Sequence, residues 1–234
     1  MPLKENYFKK IVIAIDGPSA SGKSTTARLV AKELGYLHLD TGAMYRAITY
    51  FILENKIDIK NIKNLNNILN DVQIKLLQVD NNLQVLLNGK NISDEIRTPL
   101  VTSNVSSISS IAEVRTLMVK EQQLIGKDGG IVCEGRDIGT VVFPNAELKI
   151  FMVASDIARA KRRLKDFSEQ GFEEDVIKIA DEIKKRDNLD SSREISPLKK
   201  ADDAIEIDTT ELTIEEQVKY IVEKAKEKIN ACNN

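Results

Sequence analysis

Residues 17–24 read Gly-Pro-Ser-Ala-Ser-Gly-Lys-Ser, which matches the GxxxxGK[ST] pattern of a phosphate-binding loop. In this pattern the glycines let backbone N–H groups surround an anion, and the lysine reaches the β- and γ-phosphates. The hydroxyl of Ser24 is placed to ligate Mg²⁺. The sequence therefore predicts a nucleoside triphosphate site. The predicted contacts are Gly17, Pro18, Ser19, Ala20, Ser21, Gly22, Lys23, Ser24 and Thr25.

The elements on either side of this loop support the prediction. The apolar run 11–15 indicates a buried strand before the loop. After it, Ala27, Val30 and Leu34 recur at helical spacing, and Gly35 is a typical helix end. A strand, a glycine turn and a helix N-terminus together direct free N–H groups at a phosphate.

Strands alternate with helices along most of the chain. Further strands are predicted at 36–39, 130–133, 148–154 and 204–207, with a polar turn at 40–42 and helices between. This order predicts an α/β fold of the P-loop NTPase type, with three αβα layers around a mainly parallel five-stranded core sheet. We expect this P-loop core to comprise residues 1–56 and 98–234.

Two other regions differ from this core. Residues 57–97 are rich in Asn, and Asp80-Asn81-Asn82 between apolar runs indicates a hairpin, so a small antiparallel β insert is predicted. A basic helix at about 155–170, closed by Gly171, carries Arg159, Arg162 and Arg163 at spacings of three and four. This helix is either a solvated face or, as we expect for 155–172, a helical lid that closes over the triphosphate.

Clusters of Arg and Asp follow the phosphate loop. They lie at 40–46 and 134–137, after predicted strands, and at 186–193, which we expect to lie at the start of a charged loop. Ligands of parallel sheets bind beyond the carboxyl ends of the strands. Arg can bind a phosphate group through two parallel hydrogen bonds. The pattern predicts a site for two phosphorylated ligands and hence phosphoryl transfer. A phosphate acceptor needs no general base, which suits a chain whose one histidine is His38.

Composition excludes several partners. The 34 basic and 36 acidic residues give a net charge of −2, so no general attraction to nucleic acid is expected. No run approaches 18 apolar residues, and we expect no membrane segment. Two cysteines, Cys133 and Cys232, suit a reduced, cytoplasmic protein. The absence of an apolar surface stripe weakly favours a monomer.

Other P-loop proteins remain alternatives at this point. Asn55-Lys56-Ile57-Asp58 matches the guanine-reading NKxD pattern of regulatory GTPases. However, it lies close behind the phosphate loop, and no Asp has Gly three residues later, as the DxxG switch requires. A helicase is disfavoured by length and charge. A small-molecule kinase with UMP, AMP or shikimate as acceptor stays open.

The chain resembles the bacterial cytidylate kinases from about residue 11 to its end. The resemblance rests on residues 17–24, Asp-Thr-Gly-Ala-Met-Tyr-Arg at 40–46, Asp-Glu-Ile-Arg at 94–97, Glu-Gly-Arg-Asp-Ile-Gly-Thr-Val-Val-Phe-Pro at 134–144, and Arg186-Asp187 with Asp190 and Arg193. It implies transfer of the γ-phosphoryl group of MgATP to CMP or dCMP. It also implies that residues 57–97 form the monophosphate-binding insert.

The resemblance further implies a role for each matching residue. Ser106, Arg115 and Asp137 would contact cytosine, and Arg46 and Arg136 would hold the acceptor phosphate with Tyr45 nearby. Thr41, Arg186 and Asp190 would hold the sugar, and Arg193 would lie between the two ligands. The catalytic set implied is Lys23, Arg136, Arg186, Arg159 and Arg163.

Overall fold

The computed structural model describes residues 10–79, 82–169 and 175–233. Within these residues the strands are β1 (Val12–Asp16), β2 (Leu37–Asp40), β3 (Ile74–Val79), β4 (Asn82–Leu87), β5 (Lys90–Asn91), β6 (Ile131–Gly135), β7 (Leu148–Val153) and β8 (Ile205–Asp208). The α-helices are α1 (Lys23–Leu34), α2 (Thr41–Glu54), α3 (Ile62–Asn70), α4 (Pro99–Ile108), α5 (Ala112–Gly126), α6 (Asp156–Glu169), α7 (Val176–Ser191) and α8 (Ile214–Asn233).

Five strands form one sheet in the order β2-β6-β1-β7-β8, and all neighbouring pairs are parallel. The central strand is β1, whose last residue, Asp16, is paired with Gly135 on one side and Phe151 on the other. The phosphate loop therefore leaves the middle of the sheet at its carboxyl edge. This is the place where parallel sheets bind ligands.

Helices cover both faces of this sheet. Ile13 and Ile15 of β1 pack with α1 and α8, whereas Ala14 points to the opposite layer with α2 and α5. This alternation follows from the two-residue period of a strand. The three-layer αβα prediction is confirmed, because each face of β1 is buried under helices.

The insert contains the predicted antiparallel sheet, in the order β3-β4-β5. The hairpin residues Asp80 and Asn81 lie outside the described residues. The insert also contains α3, which was not predicted because Asn is dense there. Leu65 and Leu69 of α3 are four residues apart and buried in the core beside α5, so burial of one face outweighs the polar composition.

The helices that follow β7 differ from the prediction. The charged segment from Asp187 was expected to be a loop, yet α7 continues to Ser191. The prediction was wrong there because the local run of charged residues gave no sign that the Asp190 carboxylate is buried in ion pairs with Arg136 and Arg193. The predicted helix end at Gly171 lies outside the described residues.

The polar turn predicted at 40–42 was also wrong. Helix α2 begins directly at Thr41, and Asp40 caps it by accepting a hydrogen bond from the N–H of Ala43 at 2.9 Å. An Asp at this position replaces a missing intrahelical partner, so strand β2 can pass into the helix without a turn. Thr41 therefore sits at the N-terminal end of a helix, facing the sheet edge.

Candidate active site

The phosphate loop has the backbone geometry that its glycines allow. Gly17 has φ of +148°, and a Cβ there would lie 2.1 Å from the carbonyl oxygen of Met152. Only glycine fits so close to β7. Lys23 begins α1, is buried, and donates from Nζ to the carbonyl of Pro18 at 2.6 Å and to the hydroxyl of Ser21 at 3.2 Å. The lysine ammonium thus lies within the loop that the sequence predicted.

Burial lowers the pKa of Lys23 to about 7, and the nearby positive charge of Arg136 acts in the same direction. Three carboxylates oppose this, those of Glu134, Asp187 and Asp16. Desolvation outweighs these three carboxylates, so further negative charge would stabilise the buried ammonium. A bound phosphate would supply that charge.

Ser24 and Glu134 form the candidate metal position. The Ser24 hydroxyl donates to Glu134 Oε2 at 2.6 Å, and Glu134 Oε1 lies 2.9 Å from Nε2 of His38. Among the described residues no group of three or more His, Cys, Asp or Glu could hold a metal by itself. Mg²⁺ commonly takes one or two protein oxygens and completes its shell with phosphates and water. One hydroxyl beside one carboxylate fits that requirement.

Arginines crowd the space beyond the loop. Burial lowers the pKa of Arg186 to about 9, helped by the positive charges of Arg136, Arg46 and Arg163. The pKa of Arg46 falls to about 10, first through burial and then through Arg163, Arg97 and Arg136, although Asp40 opposes this. We call Arg46, Arg136, Arg163 and Arg186 the arginine cluster. Guanidiniums held this close favour a multiply charged anion between them.

A carboxylate of α7 orients part of this cluster. Asp190 is 2% exposed, and its Oδ2 accepts from Nε of Arg136 at 3.0 Å. Its Oδ1 accepts from Nη2 of Arg193 at 2.6 Å, and that nitrogen also reaches the carbonyl of Ser106 at 3.2 Å. The unexpected last turn of α7 therefore links two arginines from different parts of the chain.

Arg115 and Asp137 form a buried ion pair beside the cluster. Nη2 of Arg115 donates to the Asp137 carboxylate, and its guanidinium lies 5.4 Å from the ring centre of Tyr45. Burial raises the pKa of Asp137, while Arg115 lowers it. Tyr45 thus lies with the predicted base-contacting residues. Next to them, Ser106 and Arg193 line a cavity of about 440 Å³ that also includes Leu189.

The basic helix α6 contacts the phosphate loop. Nη1 of Arg159 donates to the carbonyl of Ser19 at 3.1 Å and also pairs with Asp187. Asp187 in turn accepts from the N–H of Ser19 at 2.9 Å. Arg162 binds the backbone and hydroxyl of Thr209. Arg159 is 6% exposed, so the alternative of a wholly solvated face does not hold for it.

Two acidic residues of this site were missed in the sequence. Asp187 was noted in the cluster at 186–193 and in the family resemblance, but no role was predicted for it, and its contact with Ser19 depends on the packing of α7. Asp16 was not singled out, because the predicted strand ended at residue 15, yet its carboxylate accepts from two backbone N–H groups far along the chain. An acidic residue directly before a phosphate loop was the one available signal.

A phosphate loop at the centre of a parallel sheet, faced by an arginine cluster, defines the class as a P-loop kinase. The family profile described as "Cytidylate kinase" matches residues 13–227. The chain therefore belongs to the cytidylate kinase family. The motifs at 40–46 and 134–144 lie inside the matched region.

Individual relatives agree with this assignment. Cytidylate kinase from Bacillus cereus (strain B4264) is 53% identical over 214 residues, which is 92% of this chain and 95% of the relative. Cytidylate kinase from Bacillus anthracis (strain CDC 684 / NRRL 3495) is 52% identical with the same coverage. The crystal structure of an uncharacterized protein from Eubacterium ventriosum ATCC 27560 has a TM-score of 0.50 at 13% identity, covering 94% of this chain and 99% of that one. That likeness concerns the fold alone.

In the described part of the chain, no helix combines the length and the apolar character that crossing a membrane requires.

Proposed function

We propose that this protein transfers the γ-phosphoryl group of ATP to CMP or dCMP, producing ADP and CDP or dCDP. The observation that carries the proposal is the buried Arg115–Asp137 pair, which Arg193 connects to Arg136 of the arginine cluster. Membership of the cytidylate kinase family supports it. We further propose that the protein works in the cytoplasm as a monomer.

The donor side is formed by residues 17–25. Backbone N–H groups of the loop and the Lys23 ammonium bind the phosphates, and Ser24 with Glu134 would hold Mg²⁺. Mg²⁺, when bound, neutralises charge on the phosphate oxygens. Pro18 and Ser21, which now accept hydrogen bonds from Lys23, would give up that lysine to the β- and γ-phosphates.

The acceptor side is formed by the arginine cluster and its neighbours. Arg46 and Arg136 would hold the phosphate of CMP, and Thr41, Arg186 and Asp190 would contact its sugar. An acceptor phosphate oxygen attacks the γ-phosphorus, and the bond from that phosphorus to the β-phosphate oxygen breaks. The acceptor oxygen is already anionic, so no side chain has to remove a proton. The arginines stabilise the charge that spreads over the transferred group.

Base recognition would depend on the direction of one hydrogen bond. The Asp137 carboxylate only accepts, so it suits the exocyclic amine of cytosine and repels the carbonyl oxygen of uracil. Burial raises the pKa of the Asp137 carboxyl group, and the ion pair with Arg115 opposes this rise. Ser106 lies at the edge of the adjoining cavity. Cytosine preference follows, because a mispaired polar group in a buried site costs about 1–3 kcal/mol.

The lid would keep water from the transferred phosphoryl group. Arg159 already bonds the loop carbonyl of Ser19, and Arg163 lies near Arg46 and Arg186. With Arg193 placed between the ligands by Asp190, these side chains would surround the triphosphate. Exclusion of water disfavours hydrolysis of ATP when the acceptor is absent.

The guanine-reading alternative gains no support from the fold. Asn55 and Lys56 lie at the exposed end of α2, and the residues after them lead into the insert. A base-reading motif would have to follow a sheet strand at the carboxyl edge. We therefore treat the NKxD match as coincidental.

The proposal is tested by measuring ADP production from MgATP with CMP, dCMP, UMP, AMP, dTMP and shikimate as acceptors. CMP and dCMP are expected to give the highest kcat/KM. Omitting Mg²⁺ is expected to abolish turnover. Phosphorylation of AMP or shikimate faster than CMP would refute the acceptor assignment. Hydrolysis of GTP without any acceptor would favour the alternative of a regulatory GTPase.

A further inference from the structure

Asp16 connects the two halves of the site through its side chain. It is the last residue of β1, directly before Gly17 of the phosphate loop, and is 4% exposed. Its Oδ1 accepts from the N–H of Ile138 at 2.8 Å, and its Oδ2 accepts from the N–H of Gly139 at 2.7 Å. These N–H groups follow immediately after Asp137. One carboxylate therefore joins the start of the donor loop to the segment that carries the base-reading residue.

The contacted segment needs an outside partner. Residues Ile138–Val142 form a single π-helical turn, and the side chain of Asp137 makes no capping hydrogen bond to it. The N–H groups of Val141 and Val142 both bond back to the carbonyl of Asp137, at 2.8 and 3.2 Å. The first N–H groups of such a turn have no partner within it. The Asp16 carboxylate supplies the missing acceptors, although Asp16 lies in a strand more than a hundred residues away in the sequence.

The close fit leaves little room for the turn to shift. A Cβ on Gly139 would lie 3.4 Å from Oδ2 of Asp16 and 3.2 Å from the Lys149 side chain. Burial raises the pKa of Asp16 to about 6, and its bonds to Gly139 and Ile138 oppose this rise. A buried carboxylate is costly unless it is hydrogen-bonded, so the two contacts keep Asp16 in one orientation.

We propose that Asp16 is a positioning residue that holds Asp137 in register with the phosphate loop and thereby sets the preference for cytosine over uracil. The inference rests on the proposed function and extends it to a residue that touches neither nucleotide in that scheme. It acts through the backbone of Ile138 and Gly139. A displacement of Asp137 by a fraction of an ångström would weaken base reading and acceptor alignment together.

The test is Asp16→Asn, assayed with CMP and UMP. The amide keeps the shape, but only its oxygen can accept, and its NH₂ group faces the second N–H. We expect KM for CMP to rise about tenfold and the CMP:UMP ratio of kcat/KM to fall about tenfold. The KM for ATP should change much less. Glu147→Gln is the matched control, because Glu147 accepts from the N–H of Val12 at 2.9 Å at the opposite end of β1.

A double-mutant cycle separates positioning from general stability. In an Asp137→Ala background, Asp16→Asn should cause no further loss of cytosine preference, because its effect passes through Asp137. Hydrogen–deuterium exchange at the amides of Ile138 and Gly139 should be faster in Asp16→Asn and unchanged in Glu147→Gln. If Asp16→Asn is not recovered folded, Asp16→Glu, which moves the oxygens by one methylene, is assayed in the same way.

Failure of this inference and failure of the proposed function give different results. A folded Asp16→Asn enzyme with an unchanged CMP:UMP ratio, or with a loss that adds fully to that of Asp137→Ala, overturns this inference alone. A wild-type enzyme that does not phosphorylate CMP refutes the proposed function, and this inference with it.

Discussion

Asp137 is a carboxylate kept in a buried place by a single strong partner. Burial raises its pKa, and the charge and hydrogen bond of Arg115 lower it, with smaller contributions from Ser196 and Arg193. The ion pair leaves Asp137 as a fixed acceptor two residues beyond the end of β6. A group of this kind recognises a donor and rejects an acceptor, because a wrong partner leaves it desolvated and unpaired.

The substitution Asp137→Ala is therefore expected to reduce the CMP:UMP ratio of kcat/KM roughly tenfold or more. The loss should appear chiefly as weaker use of CMP, because the acceptor for the cytosine amine is gone. Steady-state kinetics with both nucleotides measure it, and Asp181→Ala on the exposed side of α7 serves as the control. A retained preference would mean that cytosine is read elsewhere.

Helices α6 and α7 act on the phosphate loop as a pair. They pack on each other through Ala160, Ile179 and Ile183, and Ala20 of the loop packs against this small core. Arg159 from α6 and Asp187 from α7 then bond the carbonyl and the N–H of Ser19. The position of the lid and the shape of the loop are thus coupled through one residue.

Asp187→Asn is expected to raise KM for ATP about tenfold, since it weakens both the bond to Ser19 and the pair with Arg159. KM for CMP should rise less. Asp156→Asn removes the other carboxylate that pairs with Arg159. The side chain of Asp156 is 60% exposed, whereas that of Asp187 is 15% exposed, so Asp156→Asn should have a clearly smaller effect on KM for ATP. Equal effects of the two substitutions would argue against coupling between the lid and the loop.

Charge is distributed very unevenly over the whole molecule. The net charge is only −2, yet the arginine cluster concentrates positive charge at the carboxyl edge of the sheet. Burial and the positive charges of neighbouring guanidiniums lower the pKa values of Arg46 and Arg186. An anion bound there should therefore stabilise the folded state beyond ordinary salt screening.

Inorganic phosphate is accordingly expected to raise the melting temperature more than sodium chloride at the same ionic strength. At about ten times its dissociation constant the gain is about 1.4 kcal/mol, or roughly 3 °C for a protein of this size. Differential scanning calorimetry measures the shift. Arg186→Gln should lose most of the difference between the two salts, and equal shifts in the wild type would contradict a specific anion site.

Much of this architecture was predictable because it is local or periodic. The phosphate loop occupies contiguous residues whose backbone needs glycine at Gly17 and Gly22, and α1 has its apolar residues on one face. The parallel sheet followed from the alternation of strands and helices and is confirmed. The site roles of Arg46, Arg136 and Asp137 remain predictions, although the structure brings these residues to one edge of the sheet.

The errors arose where long-range contacts outweigh local composition. In the Asn-rich α3, Leu65 and Leu69 are buried in the core beside α5, and this burial stabilises the helix. At the end of α7, Asp190 forms buried ion pairs with Arg136 and Arg193, and these pairs stabilise the last turn. A local sequence pattern does not indicate either set of contacts, because it shows only which residues are near one another along the chain. The sequence by itself determined the loop, the class of fold and the candidate chemistry, since these depend on neighbouring residues. Only the tertiary structure decided that Asp16 meets Ile138, 122 residues away, because that contact exists only after β1 and β6 pair in register.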